Sequence, residues 1–150
     1  AMPLSRLAYG YARLASAAQD GEFGESFATL CDAMTAHPAL VSGTARSDLA
    51  LMQAGRGDWV SKVGADGVQV LASKSRGEAL AIKILDGNST ALLATCVEVL
   101  EQLGWLDEAQ RELLAPWRAK TITNLRGLAV GERRPVFKLL VGEHGLQRVV

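Results

Sequence analysis

The stretch from Asp58 to Asn88, DWVSKVGADGVQVLASKSRGEALAIKILDGN, constrains the fold of this chain more than any other. Trp59 to Val63 is short and β-rich, Val68 to Leu71 is valine-rich, and Ala79 to Leu85 sets Leu80, Ile82 and Ile84 on one face with period two. That pattern demands a half-buried sheet. Between the first two runs lie Gly64, Ala65, Asp66 and Gly67, and Asp-Gly marks a hairpin because glycine accepts positive φ without steric cost. Lys74 to Gly77 is a polar break and Asp86-Gly87 closes the third run, which predicts three short antiparallel strands in a meander. The expected fold class is α+β, an antiparallel β-meander packed by helices.

The helices follow from three-four spacing. Leu4, Leu7, Ala8, Tyr11, Leu14, Ala15 and Ala18 share one face, ended by Gln19-Asp20-Gly21. A second stripe, Phe23, Phe27, Leu30, Cys31 and Met34, stops at His37-Pro38 because the residue before proline avoids the α region. His37, with no carboxylate at useful spacing, reads as a helix terminator rather than a base. A small, polar stretch from Val41 to Asp48 then leads into a short helix over Leu49 to Ala54. Ser47 or Asp48 suits the N-cap of that helix. Alternatively Arg46 fixes the loop or holds a substrate carboxylate through its bidentate fork, and the sequence leaves both readings open.

Beyond the meander, Leu92, Leu93, Cys96, Val97, Leu100 and Leu103 predict a helix from about Ser89 to Leu103, with Gly104 as its left-handed terminator. Asp107 with Gln110 forms a capping-box pattern for a shorter helix to Ala115, which Pro116 is expected to end. Thr121 to Val130 and Val136 to Val141 read as strands, residues 142–145 as a turn, and Leu146 to Val150 as a strand pairing back.

With 150 residues, 49% of them apolar, the chain is expected to form a single domain over 1–150. Sixteen basic residues balance sixteen acidic ones, so no overall field draws nucleic acid or anionic lipid. Cys31 and Cys96 fall on apolar helix faces, where a thiol acts as a small hydrophobe, and no Cys/His spacing points to a metal. No apolar run approaches the roughly 18 residues of a membrane span, and the first residues lack the core of a signal peptide, so a cytoplasmic location is expected. Ala-Met-Pro runs almost directly into a helix, which carries the expectation that the chain is part of a longer protein.

Lys62 ends the first strand run, followed by Val63, Gly64 and Ala65. Glycine there lets a substrate approach the backbone, and the next N–H is able to face an oxyanion. The lysine would serve as base, proton shuttle or electrostatic partner to a serine elsewhere, against the plain alternative of a solvated hairpin lysine.

Three blocks, AMPLSRLAYGYARLA, AMTAHPALVSGTARSDLALM and KVGADGVQVLASKSRGEALAIKILDGNSTA, resemble successive parts of the C-terminal half of the type II asparaginase family, which includes the thermolabile rhizobial enzymes. The resemblance spans roughly Ala1 to Pro135 and leaves the tail 136–150 unplaced. It implies half of a fold similar to serine β-lactamases and serine-dependent glutaminases, in which a lysine, a small residue and a glycine close the site from a strand. Those positions are Lys62, Val63 and Gly64. The implied activity is hydrolysis of L-asparagine to aspartate and ammonia through a serine acyl-enzyme. Lys62 would be the second catalytic lysine, Ala65 the oxyanion N–H, and Arg46 and Gly64 would help hold substrate.

The nucleophilic serine, in a Ser-x-x-Lys arrangement, belongs to an upstream half absent from this sequence, so that half is the implied partner; the unpaired edges and apolar surface left without it carry the expectation of self-association, most simply as a homodimer. Zinc, which some members bind, uses upstream cysteines and a lysine; Cys31 and Cys96 do not match them, and no metal ligand or cofactor is assigned to this chain. A competing reading from another class makes the meander a non-catalytic scaffold whose apolar face binds a partner.

Overall fold

The three β-rich runs become three paired strands. The structure is a computed structural model that describes residues 2–44, 46–141 and 147–149, with residues 141 and 147–149 described by their backbone. In it β1 (Trp59–Gly64), β2 (Val68–Ser73) and β3 (Glu78–Lys83) form an antiparallel sheet in the order β1-β2-β3. Lys62 lies opposite Val70, and Val63 opposite Gln69. The central strand β2 is buried from Gln69 to Ser73, with apolar Val70, Leu71 and Ala72 between two buried polar residues, Gln69 and Ser73. β3 ends at Lys83, earlier than the apolar run suggests, because Ile84 O accepts from Gly87 N–H at 3.1 Å and so closes a turn.

The β1–β2 turn needs glycine for two reasons. Asp66 and Gly67 both have positive φ, 58° and 75°. A Cβ on Gly67 would also stand 3.0 Å from Gly87 Cα and from Ile84 O.

The chain divides into two compact units, Ala1–Leu92 and Leu93–Val150. In the first, α1 (Leu4–Ala15), a 3-10 turn (Ala17–Gln19), α2 (Gly24–Ala36), α3 (Pro38–Ser42) and α4 (Ser47–Ala54) precede the sheet. α1 packs on β2 and β3, α2 on α1 and β1, and α4 on β1. Leu14, Cys31 and Val60 are buried together, with Tyr11, Phe27 and Met34 around them. The Gln19-Asp20-Gly21 stop works through Asp20, which accepts from Phe23 N at 2.8 Å and pairs with Arg13 Nε at 2.6 Å. That guanidinium bond, reinforced by the Phe23 N–H, holds the Asp20 carboxyl at about 2, below the usual 3.8.

His37 does terminate α2, and Pro38 at once opens α3, a short helix that the sequence reading leaves as chain; proline suits a first helical position because its missing N–H would be unpaired there anyway. A larger correction concerns α4. It begins at Ser47 rather than Leu49, Arg46 occupies the N-cap, and no side chain caps it. Ser47 and Asp48 are buried inside the first turn instead of capping it.

α5 (Ser89–Gln102) opens with Asn88 Oδ1 accepting from Ala91 N at 2.9 Å. In the second unit Gly104, at φ 68°, ends it as predicted, with Trp105 N–H returning to Leu100 O at 2.9 Å. The Asp107–Gln110 capping box is present, each half at 2.8 Å, and opens α6 (Glu108–Arg118). Pro116 does not end α6: near a helix end it removes a single backbone bond, and Arg118 pairs with Glu98 at 2.7 Å while Arg111 pairs with Glu101 at 2.9 Å, tying α6 to α5.

The single strand expected over Thr121 to Val130 is a hairpin, β4 (Lys120–Thr123) and β5 (Ala129–Arg133). Asn124 Oδ1 makes the reversal by accepting from Arg126 N and Leu128 N at 2.9 and 3.0 Å. The two last expected strands are present as β6 (Leu139–Val141) and β7 (Gln147–Val149), paired antiparallel. The turn expected at 142–145 lies outside the described residues. Among the described residues no helix is long and apolar enough to cross a membrane.

Candidate active site

A carboxylate with 0% exposure stands between α4 and the β1–β2 pair. Asp48 Oδ1 accepts from Ser61 Oγ at 2.7 Å and from Gln69 Nε2 at 2.9 Å. Its Oδ2 accepts from Val63 N at 2.8 Å. Gln69 Nε2 also donates to Ser61 Oγ at 2.9 Å, so the three side chains close a triangle. An uncompensated buried carboxylate costs several kcal/mol, and these donors are what offsets it here.

The register explains how they meet. Ser61 and Val63 alternate with Lys62 along β1, and Gln69 is the cross-strand partner of Val63, so Ser61 and Gln69 share a sheet face while Lys62 starts from the other. β1 is an edge strand. Val63 turns both backbone groups away from β2, as alternate residues of an antiparallel strand do: its N–H goes to Asp48, and its C=O accepts from Lys62 Nζ at 2.7 Å. Lys62 Nζ also lies 4.0 Å from Asp48 Oδ2. The Lys62 side chain keeps 45% of its surface exposed, against 0% for Asp48. The ammonium is therefore the part of this network that a substrate is able to reach.

Tyr11, half-buried on α1, feels the same carboxylate: burial, and then the Asp48 charge, push its phenol above 10. It is a neutral hydroxyl at ordinary pH.

Among the residues singled out by sequence, Lys62, Gly64 and Ala65 run together from the end of β1 into the hairpin, where Gly64 and Ala65 are exposed. Arg46 is exposed immediately ahead of α4, two positions before Asp48, and its side chain makes no cap. Asp48, Ser61 and Gln69 are the residues that sequence reasoning missed. For Ser61 and Gln69 a signal existed: each is a polar residue inside a β-rich or valine-rich run, and buried polar groups must find partners.

Cys31 is buried and donates its S–H to Leu14 O at 3.2 Å, with burial pushing its thiol up, while Cys96 is buried on a separate helix. Among the described residues no three His, Cys, Asp or Glu side chains gather closely enough to hold a metal.

The protein-family model for L-asparaginase II matches residues 1–135. The chain belongs to the L-asparaginase II family. Membership gives it an asparaginase-type, hydrolytic function with asparagine as the substrate that the family implies. Arg46, Asp48, Lys62, Gly64 and Ala65 all lie in the matched span of this L-asparaginase II chain, and β6 and β7 lie beyond it. Comparison with curated proteins gives no match.

Proposed function

We propose that this chain supplies the lysine and backbone-donor side of an L-asparagine amidohydrolase site, in half of a serine β-lactamase-like fold. A serine from the upstream half attacks the side-chain carboxamide carbon, ammonia leaves, and water then cleaves the resulting ester to release aspartate. Lys62 exchanges protons with the reacting groups. The Ala65 N–H stabilises the oxyanion of each tetrahedral intermediate, and Arg46 is the candidate for the substrate's α-carboxylate.

The observation that carries this reading is the exposed Lys62 ammonium at the end of β1, held between Val63 O and Asp48 inside the family-matched span. A merely solvated hairpin lysine has no need of a buried carboxylate beside it.

Lys62→Met in the complete enzyme tests the proposal. Loss of a general acid–base group lowers turnover by about 10² to 10⁴. Lys83→Met is the comparison: that ammonium, on β3, bonds to Asp66 O and Ile84 O, and its loss should lower turnover far less. Retention of more than about a tenth of turnover in Lys62→Met removes Lys62 from the catalytic set.

A further inference from the structure

Three donors converge on Asp48, from Ser61, Gln69 and Val63 N–H. Oδ1 takes two of them and Oδ2 takes one, so Oδ2 keeps acceptor capacity. The Gln69 amide is held in this orientation, because its Nε2 also donates to Val70 O at 3.2 Å. A fully buried carboxylate is expensive to desolvate. Among the described residues the ion pair it makes is with Lys62, whose Nζ stands 4.0 Å from Oδ2.

We infer that Asp48 is the positioning residue of Lys62. Through the single oxygen Oδ2 it holds the backbone of Val63 and stands against the ammonium, so the lysine is fixed relative to the strand end that carries Gly64 and Ala65. The inference rests on the role proposed above for Lys62. Asp48 touches no reacting atom itself. The other titratable group facing it is Tyr11 from α1, whose raised phenol stays neutral across the working range.

The test is Asp48→Asn in the complete enzyme, read beside Lys62→Met and Ser73→Ala. Ser73→Ala deletes a buried hydroxyl at the far end of β2, where Ser73 pairs with Trp59. Asp48→Asn should unfold cooperatively and lose at least about tenfold in kcat. The loss should fall on kcat with KM little changed, because Asp48 touches no substrate. Ser73→Ala should lower Tm with kcat and KM unchanged. Wild-type kcat in Asp48→Asn, with Lys62→Met inactive, overturns the positioning role and leaves the lysine's role standing. An active Lys62→Met overturns both. If Asp48→Asn does not fold, Asp48→Glu replaces it, keeping the charge but displacing it by a methylene. A tenfold or greater loss of kcat there supports the inference; unchanged kcat overturns it.

Discussion

Asp48 and Asp58 both collect hydrogen bonds beside the same pair of strands, but they tie different parts of the fold together. Asp58 Oδ2 accepts from Ser73 Oγ at 2.6 Å and Oδ1 from Ser75 N at 2.6 Å, while Lys74 N–H reaches Asp58 O at 3.0 Å. Every one of these groups belongs to the end of the sheet where β1 begins and β2 turns toward β3. Asp48 instead gathers β1 and β2 onto α4, and its network ends in an ammonium that solvent can touch. Two similar sets of bonds therefore serve different ends. The number of bonds does not separate a site from a staple; what the last group in the network faces does.

Breaking each carboxylate should expose the difference. Asp48→Ala strands the Ser61 hydroxyl, the Gln69 amide and the Val63 N–H in a buried space, with an expected loss of about 3–5 kcal/mol in urea unfolding. Asp58→Ala frees the exposed Ser75 N–H and the buried Ser73 hydroxyl, which keeps Ser75 Oγ within reach at 3.3 Å, and should cost about 1–3 kcal/mol. Equal losses would erase the distinction between the two ends.

A smaller pair of effects sharpens it. At the Lys62 end, Gly67→Ala sets a Cβ 3.0 Å from Gly87 Cα and Ile84 O at φ 75°. At the Asp58 end, Gly55→Ala sets one 2.5 Å from Trp59 Cβ and Cγ. Each should destabilise by about 1–3 kcal/mol in thermal unfolding. Only Gly67→Ala, which disturbs the hairpin following Lys62, should also lower kcat.

The smallest effect belongs to a third carboxylate that faces neither network. The Asp20 carboxyl is held at about 2 in the fold against 3.8 ordinarily, so its contribution to stability is complete above pH 3.8 and is lost as pH falls through about 2. The Tm difference between wild type and Asp20→Asn should be constant near neutral pH and vanish in that window. A difference that persists below pH 2 would detach it from the Arg13 pair.

What the sequence revealed was local. The three strands, the Asp66-Gly67 turn, the Gly104 terminator and the Asp107–Gln110 box each depend on residues a few positions apart, so period and spacing exposed them. Asp48 was hidden because aspartate at a helix start has a ready local explanation as a cap, whereas its partners lie 13, 15 and 21 residues away. Gln69 was hidden inside a valine-rich run that reads as core. Pro116 misled for the opposite reason: a strong local breaker so near the helix end removes a single backbone bond, and α6 runs on to Arg118. Lys62 was visible as a strand-end lysine, but the buried charge against it was not.

Gln102, at the end of α5, carries a consequence for the tail. Its side-chain Nε2 donates to Phe137 O at 3.0 Å and its Oε1 accepts from Leu139 N at 2.8 Å. A primary amide offering one donor and one acceptor to alternate residues imitates a peptide unit, so a helix side chain serves β6 as a one-residue neighbouring strand. The family-matched span ends at 135, just before these two contacts. Because both bonds are to backbone atoms, a change of side chain at Phe137 or Leu139 leaves this mooring in place.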